Sequence, residues 1–326
     1  MNLMARLRIA LFASTLLFLS LTAAAAWPER PIRIVLPYPP GGGGDLVLRT
    51  IQPMLEKRLG QTIVVDYRTG AAGNIGANEV ANANPDGYTL LMGPTNNFVI
   101  NQFLFPKMGF DPLTAFAPIS VLVEQPYLVM ISAQVPAKDF AEFANYAKTT
   151  TNKLNYGSPG AGTVPHMSAQ MLSDFLGVNM VHIPYRGSQP GLLALAGNEV
   201  QLFIASYGIV AGQIAAGKMR PIVLAGEKRL EVLPNLPTAA EAGVPPGVLL
   251  GNWWGLAAPR GTDKAILTRL ASEIRTVMSD PQLQRKFAEQ GSIPIADSPD
   301  DFASRMRTES RQWKAIIEKT GVKPEN

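Results

Sequence analysis

An α/β fold in two lobes is what the sequence predicts, on three observations. Short β-branched runs alternate with helix-spaced apolar residues, Gly- and Pro-rich turns stand where those runs end, and 326 residues are too many for one ordinary domain. Strand-turn-helix alternation builds mostly parallel sheets with helices on both faces, because parallel neighbours need a crossover between them. With 47% hydrophobic and 17% charged residues the chain can bury a core, which excludes a wholly disordered protein.

The first lobe opens with Ile32–Leu36, a β-branched run that stops at Pro37-Tyr38-Pro39-Pro40-Gly41-Gly42-Gly43-Gly44. Val47, Ile51, Met54, Leu55 and Leu59 follow at helical spacing, and Gly60 ends the pattern. Ile63–Val65 is the next strand, then a helix over Ile75–Asn82, then a strand over Tyr88–Met92 that ends in Gly93-Pro94-Thr95-Asn96-Asn97. Strands at Ile119–Val123 and Tyr127–Ile131 flank Glu124-Gln125-Pro126, where the chain leaves for a second lobe. There, helices over Ala137–Thr149, Met167–Leu176 and Gly191–Leu195 alternate with strands at Leu154–Tyr156, Val181–Ile183, Val200–Ile204 and Pro221–Leu224. Trp253–Ala257 reads as the return crossing.

The C-terminal part is helical. Thr262 can cap a helix carrying Ile266, Leu270, Ile274 and Val277, and Pro281 starts another that ends at Gly291. Ser298-Pro299-Asp300-Asp301 has the form of a capping box ahead of the apolar stripe Phe302, Met306 and Trp313. The expected division is lobe 1 over 27–124 and 252–326, and lobe 2 over 125–251.

Residues 1–26 read as a cleaved secretory signal peptide. Arg6 and Arg8 give the positive start, Ile9–Leu21 the apolar stretch, and Ala23–Ala26 the small residues for cleavage near Ala26. Losing the two arginines takes the net charge from +4 to +2, with no basic run, so nucleic acid is not an expected partner.

Much chemistry is excluded by what the sequence lacks. There is no Cys, so disulfides, thiolate nucleophiles and cysteine-bound metal are out. Gly41–Gly44 is followed by Asp45-Leu46 rather than the lysine and hydroxyl of a phosphate loop. Neither Gly70–Gly76 nor Gly157–Gly162 has dinucleotide-binding spacing, and no nucleophile elbow is present. His166 and His182 are the two histidines, and they have no zincin spacing, so neither a metal nor a cofactor is expected. His182 reads as a hydrogen-bonded strand residue. His166, just after Ser158-Pro159-Gly160-Ala161-Gly162-Thr163, could pair with Ser158, but no orienting acid or oxyanion hole is evident, so no catalytic residue is expected.

The glycine-rich strand ends offer something else. A helix's first turn holds N–H groups without intrahelical partners at the positive end of the peptide dipoles. Glycine lets a ligand approach that backbone closely. Loops at Tyr38–Asp45 in one lobe and Ser158–His166 in the other therefore form a receptor for a carboxylate.

Trp27-Pro28-Glu29-Arg30-Pro31-Ile32-Arg33 and Pro37–Asp45 resemble the opening of the substrate-binding proteins of tripartite tricarboxylate transporters, the Bordetella uptake gene (Bug) receptors. The similarity continues through Gly70–Ala77, Pro85–Leu90, Leu154–Ser158, Val181–Gly187, Leu236–Gly243 and Trp254–Pro259, in order along the chain. The resemblance implies a two-lobed periplasmic binding protein fold of the type II, Venus-flytrap kind. It also implies a monomeric periplasmic receptor that delivers a small carboxylate, mono- or dicarboxylate and aliphatic or aromatic, to membrane transporter subunits of the tripartite tricarboxylate type. The ligand-binding residues it implies are Tyr38, Pro40, Gly41, Gly42 and Asp45, then Thr95 and Asn96, then Ser158, Gly160, Thr163 and His166, with Ser206 and Tyr207. Gly44 stands where Thr is common, and Ala205 where many members carry Asp, which weakens the case for a cationic amino group on the ligand. Tyr38, Phe98, Tyr207 and Trp253 are the aromatic candidates for stacking. Two alternatives share this sequence: a receptor that presents its closed form to a sensor kinase, and an exported hydrolase using Ser158 and His166.

Overall fold

The computed structural model describes residues 27–320, so the signal peptide expected over residues 1–26 lies outside them. The first sheet is built from β1 (Ile32–Leu36), β2 (Ile63–Tyr67), β3 (Thr89–Pro94) and β4 (Phe116–Gln125), with helices α1 (Gly43–Leu59) and α2 (Asn74–Ala81) between them. A second sheet follows: β5 (Tyr127–Ser132), α3 (Phe140–Thr149), β6 (Asn155–Ser158), α4 (Val164–Leu176), β7 (Val181–Pro184), α5 (Ser188–Ala196), β8 (Leu202–Ser206), α6 (Tyr207–Ala215) and β9 (Met219–Ala225). The chain then returns to the first sheet with β10 (Asn252–Pro259), α7 (Lys264–Met278), α8 (Pro281–Glu289), β11 (Ile293–Pro294) and α9 (Pro299–Thr320).

Strand order is β11-β4-β10-β3-β1-β2 in one sheet and β7-β6-β8-β5-β9 in the other. The expected parallel pairing holds where a helix separates consecutive strands: β1 with β2 and β3, and β6 with β7 and β8. It fails around β10 and β5, which run antiparallel to their neighbours, and at the short β11, antiparallel to β4, so both sheets are mixed. β10 and β5 are the strands at the crossings. β5 follows β4 across Pro126 alone, and β10 arrives from the other sheet. Neither is reached by a helical crossover from a strand of its own sheet.

Each sheet is buried on both faces. Along β1, Ile32, Ile34 and Leu36 enter one apolar cluster while Val35 enters another, the two-residue alternation of a strand between helix layers. α9 closes the second of these clusters, with Phe302, Met306 and Trp313 buried beside Phe98. Helix starts follow local chemistry. Asp263, not the expected Thr262, caps α7, its carboxylate accepting from Ala265 N at 2.6 Å. The Thr262 hydroxyl instead donates to Pro259 O at 2.8 Å. The carboxylate lies two residues from the amide it accepts, an ordinary capping reach. After β3 the chain does not merely turn: Asn96–Ile100 winds into a π-type turn and Asn101–Leu104 into a helical one, packing Phe98 inside.

Candidate functional site

A cavity of about 50 Å³ lies between the sheets. The first contributes Tyr38, Pro39, Gly42, Gly43, Gly44, Asp45, Pro94, Asn96 and Trp254 to its wall. The second contributes Tyr127, Pro159, Thr163, Pro165, Gly187, Ser188, Ile204, Ala205, Ser206 and Ile209, and Gln125 sits at the crossing.

Four helices begin at this wall: α1 at Gly43, α4 at Val164, α5 at Ser188 and α6 at Tyr207. In three of them the preceding residue, Gly42, Gly187 or Ser206, makes no side-chain cap bond. Their first N–H groups therefore lack intrahelical acceptors and sit at the positive end of the helix dipole. Among the described residues, no Lys, Arg or His side chain lines the cavity, and Asp45 is the carboxylate that does. Its oxygens are already engaged, accepting from Gly41 N at 2.9 Å and the Tyr67 hydroxyl at 2.6 Å, with Arg49 Nε 3.4 Å away. Such a site offers an anion backbone donors rather than a counter-charge.

The floor beside Tyr38 is tightly tied. Ala71 and Ala72 hold φ of 47° and 52°, strained for residues with a Cβ. Four side chains converge on the Ala72 carbonyl: Asn96 Nδ2 at 2.9 Å, the Tyr38 hydroxyl and Asn101 Nδ2 at 3.0 Å, and Asn97 Nδ2 at 3.1 Å. Asn96 Nδ2 also donates to the Tyr38 hydroxyl at 3.0 Å. Burial pushes the Tyr38 and Tyr127 phenols up, so both stay neutral donors.

The second-lobe loop is closed on itself. Thr163 Oγ1 donates to Gly160 O at 2.7 Å and caps α4 through His166 N. Gly162 N donates to His166 Nδ1 at 3.1 Å, and Gly160 N donates to Ser158 Oγ at 3.2 Å. Ser158 does not pair with His166. Its Oγ lies 2.7 Å from His182 Nε2, on the adjacent parallel strand, where His182 is in register with Tyr156, two residues before Ser158. His166 stacks on the His182 ring with centroids 4.0 Å apart, and Tyr156 stacks on His182 with centroids 5.0 Å apart. Burial, and then His182, hold His166 down at about 3.

Of the residues the sequence singled out, the cavity wall takes Tyr38, Gly42, Asp45, Asn96, Thr163 and Ser206. Pro40 and Gly41 are exposed at the rim, where Gln189 Nε2 of α5 donates to Gly41 O across the cleft at 2.7 Å. Thr95 stands behind the wall, its Oγ1 accepting from Trp253 N at 2.9 Å. Ser158, Gly160 and His166 also lie outside the wall, and Tyr207 is half-buried against Gly291. Of the aromatic candidates Tyr38 alone lines the cavity; Phe98 and Trp253 stack on each other in the core, with centroids 5.6 Å apart. Trp254 and Tyr127 take that place instead. The signal for Trp254 was available: on β10, neighbours 253 and 254 face opposite sides of the sheet.

A family model, the tripartite tricarboxylate transporter family receptor, matches residues 47–322. The protein BugT of Bordetella pertussis is 28% identical over 316 residues, covering 97% of each chain. Two solved structures from Rhodopseudomonas palustris, each 33% identical, superpose closely. Rpa4515 with adipate has a TM-score of 0.87, covering 92% of this chain and 100% of that one. MatC with bound malate has a TM-score of 0.83, covering 89% and 100%. This chain belongs to that receptor family.

Proposed function

From that membership, we propose that the chain is an exported periplasmic receptor that takes a small carboxylate into the interlobe cavity. It would hand the solute to a membrane transporter of the tripartite tricarboxylate type. The observation that carries this reading is the convergence of uncapped helix starts from both sheets on a cavity without a basic side chain. Relatives of the same fold hold malate and adipate, both carboxylates.

A receptor has no turnover, and the buried Ser158 supports that side of the reading. The residue is 0% exposed and outside the cavity wall, and its hydroxyl is committed to Gly160 and His182. A nucleophile needs a substrate atom within reach. Among the described residues, no helix is long and apolar enough to cross a membrane, in keeping with a receptor that depends on a separate transporter.

Calorimetry and thermal unfolding of the mature chain with a panel of aliphatic and aromatic acids test the reading. A ligand at a hundred times its Kd should add about 2.7 kcal/mol of stability. Silence across the panel would overturn the carboxylate reading. Uptake that persists after the membrane partner is deleted would overturn the delivery role.

A further inference from the structure

Trp254 gives the cavity a wall that a general carboxylate receptor does not require. Its indole Nε1 donates to Gln125 Oε1 at 3.0 Å, which fixes the ring. The six-membered ring occupies the space beside Gly44: a Cβ there would meet three of its carbons at 2.4, 2.5 and 2.8 Å. Tyr38 meets Trp254 edge-on, with centroids 6.2 Å apart and planes at 86°. From the second sheet, Ile204, Ala205 and Ile209 add uncharged surface. Tyr127 also lines the cavity, and its hydroxyl makes no hydrogen bond among the described residues, leaving a donor for a ligand.

We propose that the cavity selects a compact aromatic monocarboxylate, its ring against Trp254 and its carboxylate on the uncapped helix starts, with Trp254 setting the specificity. This rests on the receptor reading and narrows it. A flat ring gains both apolar burial and edge or offset contact with Trp254 and Tyr38. A second carboxylate would have to share the uncapped helix starts with the first while facing the apolar surface of Trp254, Ile204 and Ile209. An ammonium group fares no better, since Ala205 is apolar and the Asp45 carboxylate is already shared by Gly41, Tyr67 and Arg49.

The test is calorimetry on the mature protein with benzoate, cyclohexanecarboxylate, succinate, malate and adipate, alongside Trp fluorescence. Benzoate should bind about 10-fold or more tighter than each aliphatic diacid and quench the fluorescence. W254A should lose about 10-fold of that preference, whereas W254F keeps it within about 3-fold. A diacid that matches benzoate overturns the aromatic inference and leaves the carboxylate receptor standing, as does cyclohexanecarboxylate binding equally well. Failure of every acid overturns both. Should W254A not fold, the wild-type ranking and W254F still decide.

Discussion

The loops at 38–45 and 158–166 look alike on paper, each a strand end with glycines ahead of a helix, yet they dispose of their polar groups in opposite ways. In the first, Gly42 leaves the start of α1 uncapped, and Asp45 braces the loop from behind through Gly41 and Tyr67. In the second, Thr163, Ser158 and His166 consume the loop's own donors and acceptors. The second lobe instead turns the uncapped starts of α5 and α6 to the cavity, behind Gly187 and Ser206. A glycine-rich turn becomes a binding element only when no nearby side chain reaches its amides first.

The largest effect should come from Gly44→Thr. Its Cβ would collide with Trp254, so affinity for the preferred acid should fall about 100-fold and stability by about 1–3 kcal/mol. Calorimetry and denaturant unfolding measure both, and adding Trp254→Ala should recover part of the stability loss. Additive losses would show that the two side chains do not compete for one space. Next, Asp45→Asn should weaken binding about 10-fold by loosening the first loop, since charge-assisted bonds to Tyr67 and Arg49 are lost. An unchanged Kd would remove the distinction between a braced and an unbraced loop.

Ser158→Ala should act on stability instead. We expect a loss of about 1 kcal/mol with affinity within about 3-fold of wild type. A Kd shifted as far as that of Asp45→Asn would make the two loops equivalent after all. The smallest effect is a pH dependence. His166 holds its proton only near pH 3 when folded, against the ordinary 6.5 when unfolded. Below 6.5 the unfolded chain therefore takes up a proton that the folded chain refuses. Stability falls as pH drops from 6.5 toward 3, by less than about 1 kcal/mol between pH 7 and 6. Unfolding of His166→Gln at both pH values should show a flatter profile. An equal slope would mean His166 stays neutral in neither state more than the other.

The order of strands and helices was legible because it follows local periodicity. Val47, Ile51 and Leu55, for instance, are buried on one face of α1. Strand direction was less so. β10 and β5 run antiparallel because of where the chain enters each sheet, and no local residue encodes that. The partner of Ser158 was hidden for a related reason: His166 is near in sequence, but the pairing of β6 with β7 brings the His182 ring, opposite Tyr156, within reach of Ser158. Gly93–Asn97 read as a turn because Asn96 and Asn97 look like loop residues, whereas their amides are spent on the Ala72 carbonyl. The role of Trp254 lay in strand alternation, which fixes that 253 and 254 part company but not which of them meets the cleft.

The bond from Gln189 to Gly41 carries a last consequence. An exposed amide-to-carbonyl contact is worth about 1 kcal/mol, too little to keep two lobes shut unaided. Whatever free energy shutting requires is then drawn from the solute, and measured affinity equals intrinsic affinity scaled by the fraction of molecules already shut. Changes at that rim, remote from the solute's own contacts, would retune how tightly every acid is held while leaving their ranking alone.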